Sequence, residues 1–131
     1  MSRLSLAAIA AVGLVLSLTP PAMAQQADNA KTDTILLTIF LRHDQSKNLE
    51  QINTQLKQQD FYKKFPPPDI EVVSWYVMMG IGQVVTLRVP ASRLREVNRT
   101  IEESAWGAYR TEFFPTYDYK PIAEEQRRRV P

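Results

Sequence analysis

The sequence contains no cysteine. Disulfides are excluded, as is a lipid-modified cysteine behind an export signal. Histidine occurs once, at His43, and a single histidine without cysteine argues against a multi-ligand zinc site. Haem needs only one axial histidine, so it survives as a remote option for His43; no metal and no cofactor is expected. Charge of one sign is also lacking. Sixteen Lys and Arg face 14 Asp and Glu, a formal net charge of +2, and that balance argues against nucleic acid as a partner. A glycine-rich phosphate loop, a nucleophile elbow and a carboxylate pair at catalytic spacing are all missing, and the chain shows no internal repeat.

No apolar run reaches the roughly 20 residues a membrane-spanning helix needs. The longest, Leu4 to Leu18, follows a short basic start at Arg3 and is broken by Thr19-Pro20-Pro21. Ala22-Met23-Ala24 then offers the small-x-small pattern of a signal-peptidase site. Residues 1–24 therefore read as a cleaved signal peptide in preference to an uncleaved anchor, with export to the periplasm and no stable membrane insertion afterwards. Cleavage at residue 24 would leave 107 residues with 15 basic and 14 acidic side chains. That is enough for one domain with a modest core. Residues 25–33 read as a disordered lead-in and 34–121 as the folded domain. Residues 122–131 read as a basic tail, in which Arg127-Arg128-Arg129 is a solvated, frayed terminus.

Within the domain, EVVSWYVMMGIGQVVTLRV from Glu71 to Val89 is organised as a hairpin around Gly80-Ile81-Gly82, with strands expected over about 70–79 and 82–89. Thr34 to Arg42 is the first strand, apolar at every odd position from Ile35 to Leu41. A helix is expected from about Ser46 to Phe65, capped by Asp44 or Ser46, with Leu49, Ile52 and Leu56 on its inner stripe. Pro66-Pro67-Pro68 would end it. A second helix, capped by Ser92, carries Leu94, Val97, Ile101 and Ala105 at helical spacing and stops before Gly107. Tyr109 to Phe114 reads as the last strand, and Pro115 to Pro121 as an extended arm.

The order β-α-β-β-α-β is that of a ferredoxin-like α+β fold, a four-stranded antiparallel sheet with two helices on one face. The first and third strands are expected at its centre, running parallel to each other, with the second and fourth antiparallel at the edges. Alternation assigns Ile35, Leu37, Ile39, Leu41, Val73, Trp75, Val77, Val85, Leu87 and Val89 to the helix-covered face. Thr38, Phe40, Arg42, Ser74, Tyr76, Met78, Val84, Thr86, Arg88, Glu112 and Phe114 fall on the other. That second set is too apolar for bulk water and too polar for a dry core, which suits a cleft closed by a second subunit.

Candidate ligand-binding residues come from this second face. Arg42 and Arg88, expected at one end of the sheet with Glu112, would hold an anionic group, or would merely pair with Glu112, Asp44 or a partner subunit. Phe40, Tyr76, Met78 and Phe114 would form the walls. Candidate catalytic residues are His43 and Glu112 as proton carriers, although a strand–helix junction equally suits His43 to a loop hydrogen bond, and Asp44 to a cap.

The turn Arg88-Val89-Pro90-Ala91-Ser92, the Leu94/Val97/Ile101 helix behind it and the arm Phe114-Pro115-Thr116-Tyr117-Asp118-Tyr119 resemble the dimeric α/β-barrel superfamily. The resemblance is to its small muconolactone-isomerase-like and YCII-like proteins, and it covers roughly residues 34–121. It implies a homodimer with facing sheets. It also implies activities such as isomerisation, cofactor-free oxygenation or haem degradation. YCII-like proteins carry a His-Asp pair that His43-Asp44 resembles, but here adjacency sends the two side chains to opposite faces. The sequence thus supports an exported homodimer binding a small anionic or aromatic molecule between sheets. The alternatives are an isomerase-like or oxygenase-like enzyme using His43 or Glu112, and a structural homodimer without ligand.

Overall fold

The computed structural model describes residues 33–131; the expected signal peptide and nearly all of the lead-in lie outside the described residues. The elements are β1 (Thr34–His43), α1 (Leu49–Gln58), α2 (Phe61–Lys64), β2 (Glu71–Met78), β3 (Gly82–Pro90), a 3-10 turn (Ala91–Arg93), α3 (Leu94–Ser104), β4 (Tyr109–Thr116) and α4 (Lys120–Arg129). The four strands form one sheet in the order β2-β3-β1-β4. This is an α+β fold compatible with the ferredoxin-like arrangement, and among the described residues no helix is long and apolar enough to cross a membrane.

Every neighbouring pair of strands is antiparallel, including β1 and β3, which pair from Thr34↔Pro90 to Arg42↔Gly82. The expected parallel centre is therefore corrected. The crossover through α1 sets β2 parallel to β1, and the tight hairpin then reverses the chain, so β3 runs against both.

Strand alternation holds where it was expected from β1 and β3. Leu37, Ile39, Leu41, Val85, Leu87 and Val89 are buried beneath the helices, together with Ile52 and Leu56 of α1, Val97 and Ile101 of α3, and Phe61, Phe65 and Tyr109. Fully burying an aliphatic side chain stabilises by roughly 1.5–3 kcal/mol, so this layer supplies the driving force for the fold. On β2 alternation holds from Ser74 to Met78 but is interrupted before it. A bulge between Val72 and Ser74 shifts the register, so Val72 rather than Val73 stands opposite Leu87. Val73 and Val77, both expected in the core, are exposed, while Trp75 packs against it.

The first helix is shorter than its sequence suggests. It starts at a capping box in which Asn48, not Asp44 or Ser46, accepts from the Gln51 backbone while Gln51 reaches back to Asn48 N–H. Leu49, just inside that start, is exposed. The chain breaks after Gln58, where Asp60 takes a left-handed conformation (φ 56°), and one further turn, α2, delivers Phe61 to the core. Pro66 to Pro68 follow, as expected of residues that cannot extend a helix. The second helix opens with the 3-10 turn, and Ser92 makes no cap; the residue before α3 is Arg93. Gly107 (φ +88°) closes the α3–β4 turn against the Gln55 side chain. Lys47 donates to both Gln55 Oε1 and the Gly107 carbonyl, and Gln59 donates to the Trp106 carbonyl. These bonds tie α1 to that turn.

At the C-terminus, β4 runs two residues further than expected, through Pro115 opposite Leu37. The basic tail, expected to fray, forms the helix α4, none of whose residues is buried.

Candidate functional site

The side of the sheet away from the helices is uncovered, and the strand register arranges it in rows. The first row is Glu71, Arg88, Leu36 and Thr116; the second is Ser74, Thr86, Thr38 and Phe114. The third is Tyr76, Val84, Phe40 and Glu112, and the fourth Met78, Gly82, Arg42 and Arg110. All of the expected wall residues stand on this face. Phe40 and Phe114 meet edge to face with centroids 5.6 Å apart, while Tyr76, Met78 and Phe114 are exposed. Beside the aromatic groups runs a chain of hydroxyls. Thr116 donates to Thr38 at 2.8 Å, and Thr38 and Thr86 share a hydrogen bond of 3.0 Å.

The two expected anion-holding arginines do not converge. Because β1 and β3 are antiparallel, Arg42 lies opposite Gly82 and Arg88 opposite Leu36. Six residues of β3 separate those positions, roughly 20 Å along the strand. Each arginine has its own carboxylate: Arg42 Nε donates to Glu112 at 3.0 Å, and Arg88 Nε to Glu71 at 2.9 Å. Arg42 also leans over the Phe40 ring, 5.7 Å from its centroid. A separate depression adjoins each arginine. One, of about 700 Å³, lies by Arg88, Leu36, Thr116 and Tyr117; the other, of about 440 Å³, by Arg42, His43, Ser46 and Arg110.

The two expected proton carriers also stand apart. Glu112 is on the uncovered face in its ion pair with Arg42. His43, one residue on from Arg42, turns the other way and stacks on buried Tyr109, with centroids 5.8 Å apart and planes at 12°. Its backbone N–H donates to Ile81 O at 2.9 Å. Asp44 accepts from Ser46 N and Oγ at 3.1 and 2.7 Å, a local turn ahead of the helix. Those bonds, then the fields of Arg110 and Lys47, hold its carboxyl below the usual carboxylate range.

Two groupings escaped the sequence reading. Beneath the sheet, Trp75 Nε1–H donates to Gln83 Oε1 at 2.7 Å, and Gln83 Nε2 donates to Tyr109 Oη at 3.1 Å. Burial, followed by the neighbouring Tyr62, raises the Tyr109 phenol well above its ordinary value. A glutamine at a core-facing strand position was the available signal, since a polar group buried there requires partners. The other grouping is Arg110 beside Arg42, which alternation from Glu112 and Phe114 would have put on the same face. Among the described residues, no group of three or more His, Asp or Glu is placed to hold a metal ion. The chain matches no family model, no curated protein and no solved structure.

Proposed function

We propose that the protein is an exported homodimer that binds a small aromatic molecule in a semi-polar cleft between two facing sheets. The observation that carries this reading is the uncovered face itself, where Phe40, Tyr76, Val84 and Phe114 border a threonine hydroxyl chain. Apolar groups at the centre of an open sheet favour a cover, and the hydroxyls give that covered space hydrogen-bonding capacity.

A second copy of the chain is a cover compatible with the face in charge and size. Both ends of the face carry an Arg–Glu pair, with Arg110 as an extra positive charge at the Arg42 end, so an antiparallel copy avoids setting the two Arg42–Arg110 ends against each other. Four strands about 4.8 Å apart and about eight residues long present a projected area of roughly 500 Å² per copy, which side-chain relief brings toward the low end of stable interfaces. The β-α-β-β-α-β order, with the turn at Arg88 to Ser92, supports kinship with the dimeric α/β barrels. The apolar run Leu4 to Leu18, followed by Ala22-Met23-Ala24, supports export. Placement of His43 and Glu112 on opposite sides of the sheet favours binding over proton-transfer catalysis.

Sedimentation of the purified chain over a micromolar dilution series tests self-association. Wild type is expected to be dimeric and Val84→Arg monomeric with unchanged circular dichroism; a wild type monomeric throughout overturns the dimer. Thermal shifts with indole and catechol test the cleft. They are expected for wild type and lost in Val84→Arg, and their absence from wild type overturns the binding of neutral aromatics in the cleft.

A further inference from the structure

Arg42 and Arg110 are Cα partners in the β1–β4 ladder, so two guanidinium side chains leave the same face of adjacent strands. Residues directly opposite have Cβ atoms about 4.5–5.5 Å apart, and like charges so placed repel. Such a pair costs stability unless an anion lies between its members. The nearby carboxylates do not fill that role for both. Glu112 is engaged by Arg42 Nε at 3.0 Å, while Asp44 takes Ser46 N and Oγ on Oδ1 and feels the field of Arg110 without forming an ion pair with it. Arg110 is exposed and has no ion pair among the described residues.

The pair also faces a cavity. The depression of about 440 Å³ at this end is lined by both arginines, by His43 and the Asp44–Ser46 turn, and by Gly80 and Ile81 of the hairpin loop. One row further in lie Phe40 and Val84, about two residues or 7 Å along the strands. An anionic head between the guanidiniums would therefore have apolar surface beside it for a ring.

We propose that the Arg42–Arg110 end of the uncovered face is a binding site for a small aromatic carboxylate, its carboxyl group taken by Arg110 with Arg42 and its ring directed toward Phe40. Guanidinium forks match the planar carboxylate in two-point hydrogen bonding. Glu112 pairs with Arg42 and Asp44 lies within the field of Arg110, so the net field here is weak and the fork geometry of the unpaired Arg110 selects the ligand. This inference rests on the small-molecule half of the proposed function and is independent of self-association.

Thermal shift and isothermal titration with benzoate, at constant ionic strength against chloride, test it. Arg110→Gln is compared with Arg95→Gln, an equal charge change at an exposed position of α3. Wild type and Arg95→Gln are expected to respond alike, and Arg110→Gln to bind at least about tenfold more weakly, the scale of losing a charged hydrogen bond. Absence of a benzoate response in wild type, or an unchanged response in Arg110→Gln, overturns the site. An equal response to inorganic phosphate overturns the carboxylate assignment. A wild type that is monomeric yet responds to benzoate through Arg110 removes the dimer and keeps this site, whereas a dimer shifted by indole but not by benzoate does the reverse.

Discussion

Gln83 is half-buried between an indole and a phenol, and each ring's polar atom uses it as a partner. Gln83→Leu keeps the bulk and strands the Trp75 N–H, so it is expected to cost about 1–3 kcal/mol, the usual penalty of a buried polar group left unpaired; urea denaturation measures it. Tyr109 makes stability depend on alkaline pH. Its folded phenol is held neutral above the ordinary value of about 10. Below about pH 10 folded and unfolded tyrosine are both protonated, so the contribution is fully present there. As pH rises beyond that, the unfolded chain ionises first and stability falls. Wild type is expected to lose stability more steeply than Tyr109→Phe across this range, as read by denaturation at stepped pH. Gly82 is constrained differently: at φ +142°, a β-carbon there would collide with the Leu41 carbonyl. The core residues of β1 and β3 were legible because alternation needs only neighbours in sequence. The Gln83 bonds were not, since their partners arrive from 8 and 26 residues away.

Helices show the same division between local and distant causes. Periodicity located α1 and α3, yet it missed the capping box because Asp44 and Ser46 satisfy each other in a separate turn. It also missed the break at Asp60, where one left-handed residue re-aims the chain so that Phe61 reaches the core. Asn48→Ala removes one half of the capping box and is expected to cost about 1 kcal/mol. Gly107→Ala should cost more, because it combines a positive φ with intrusion on Gln55 in the tie between α1 and the α3–β4 turn. Chemical denaturation of the two variants side by side gives the order. The C-terminal helix α4 has no buried residue. Removing residues 120–131 is therefore expected to change the unfolding free energy by less than about 1 kcal/mol, in line with other changes away from packed groups.

For the molecule as a whole, patterning located the four strands, the two core-covering helices and the uncovered face, but not α2, α4 or the relative direction of the central strands. That direction depends on counting reversals through the crossover and the hairpin, and it decided the fate of the Arg42–Arg88 clamp. Patterning also overlooked the β2 bulge, because an inserted residue leaves the apolar composition of a strand unchanged while moving Val72 into the place expected for Val73. The interstrand ion pairs Arg42–Glu112 and Arg88–Glu71 are substantially exposed, with side chains 42–61% accessible. Raising sodium chloride to about 1 M should therefore shift the midpoint of thermal unfolding only slightly, since exposed pairs are worth about 0–1 kcal/mol each. The two outermost strands carry a further consequence. β4 includes a proline, which has no N–H to give, and β2 is kinked by its bulge. Neither border offers the long, regular template on which ribbons grow sideways. Crowded copies of this chain would then find stacking open to them and lateral extension impeded, so a preparation should stop at discrete small assemblies rather than elongate into fibres.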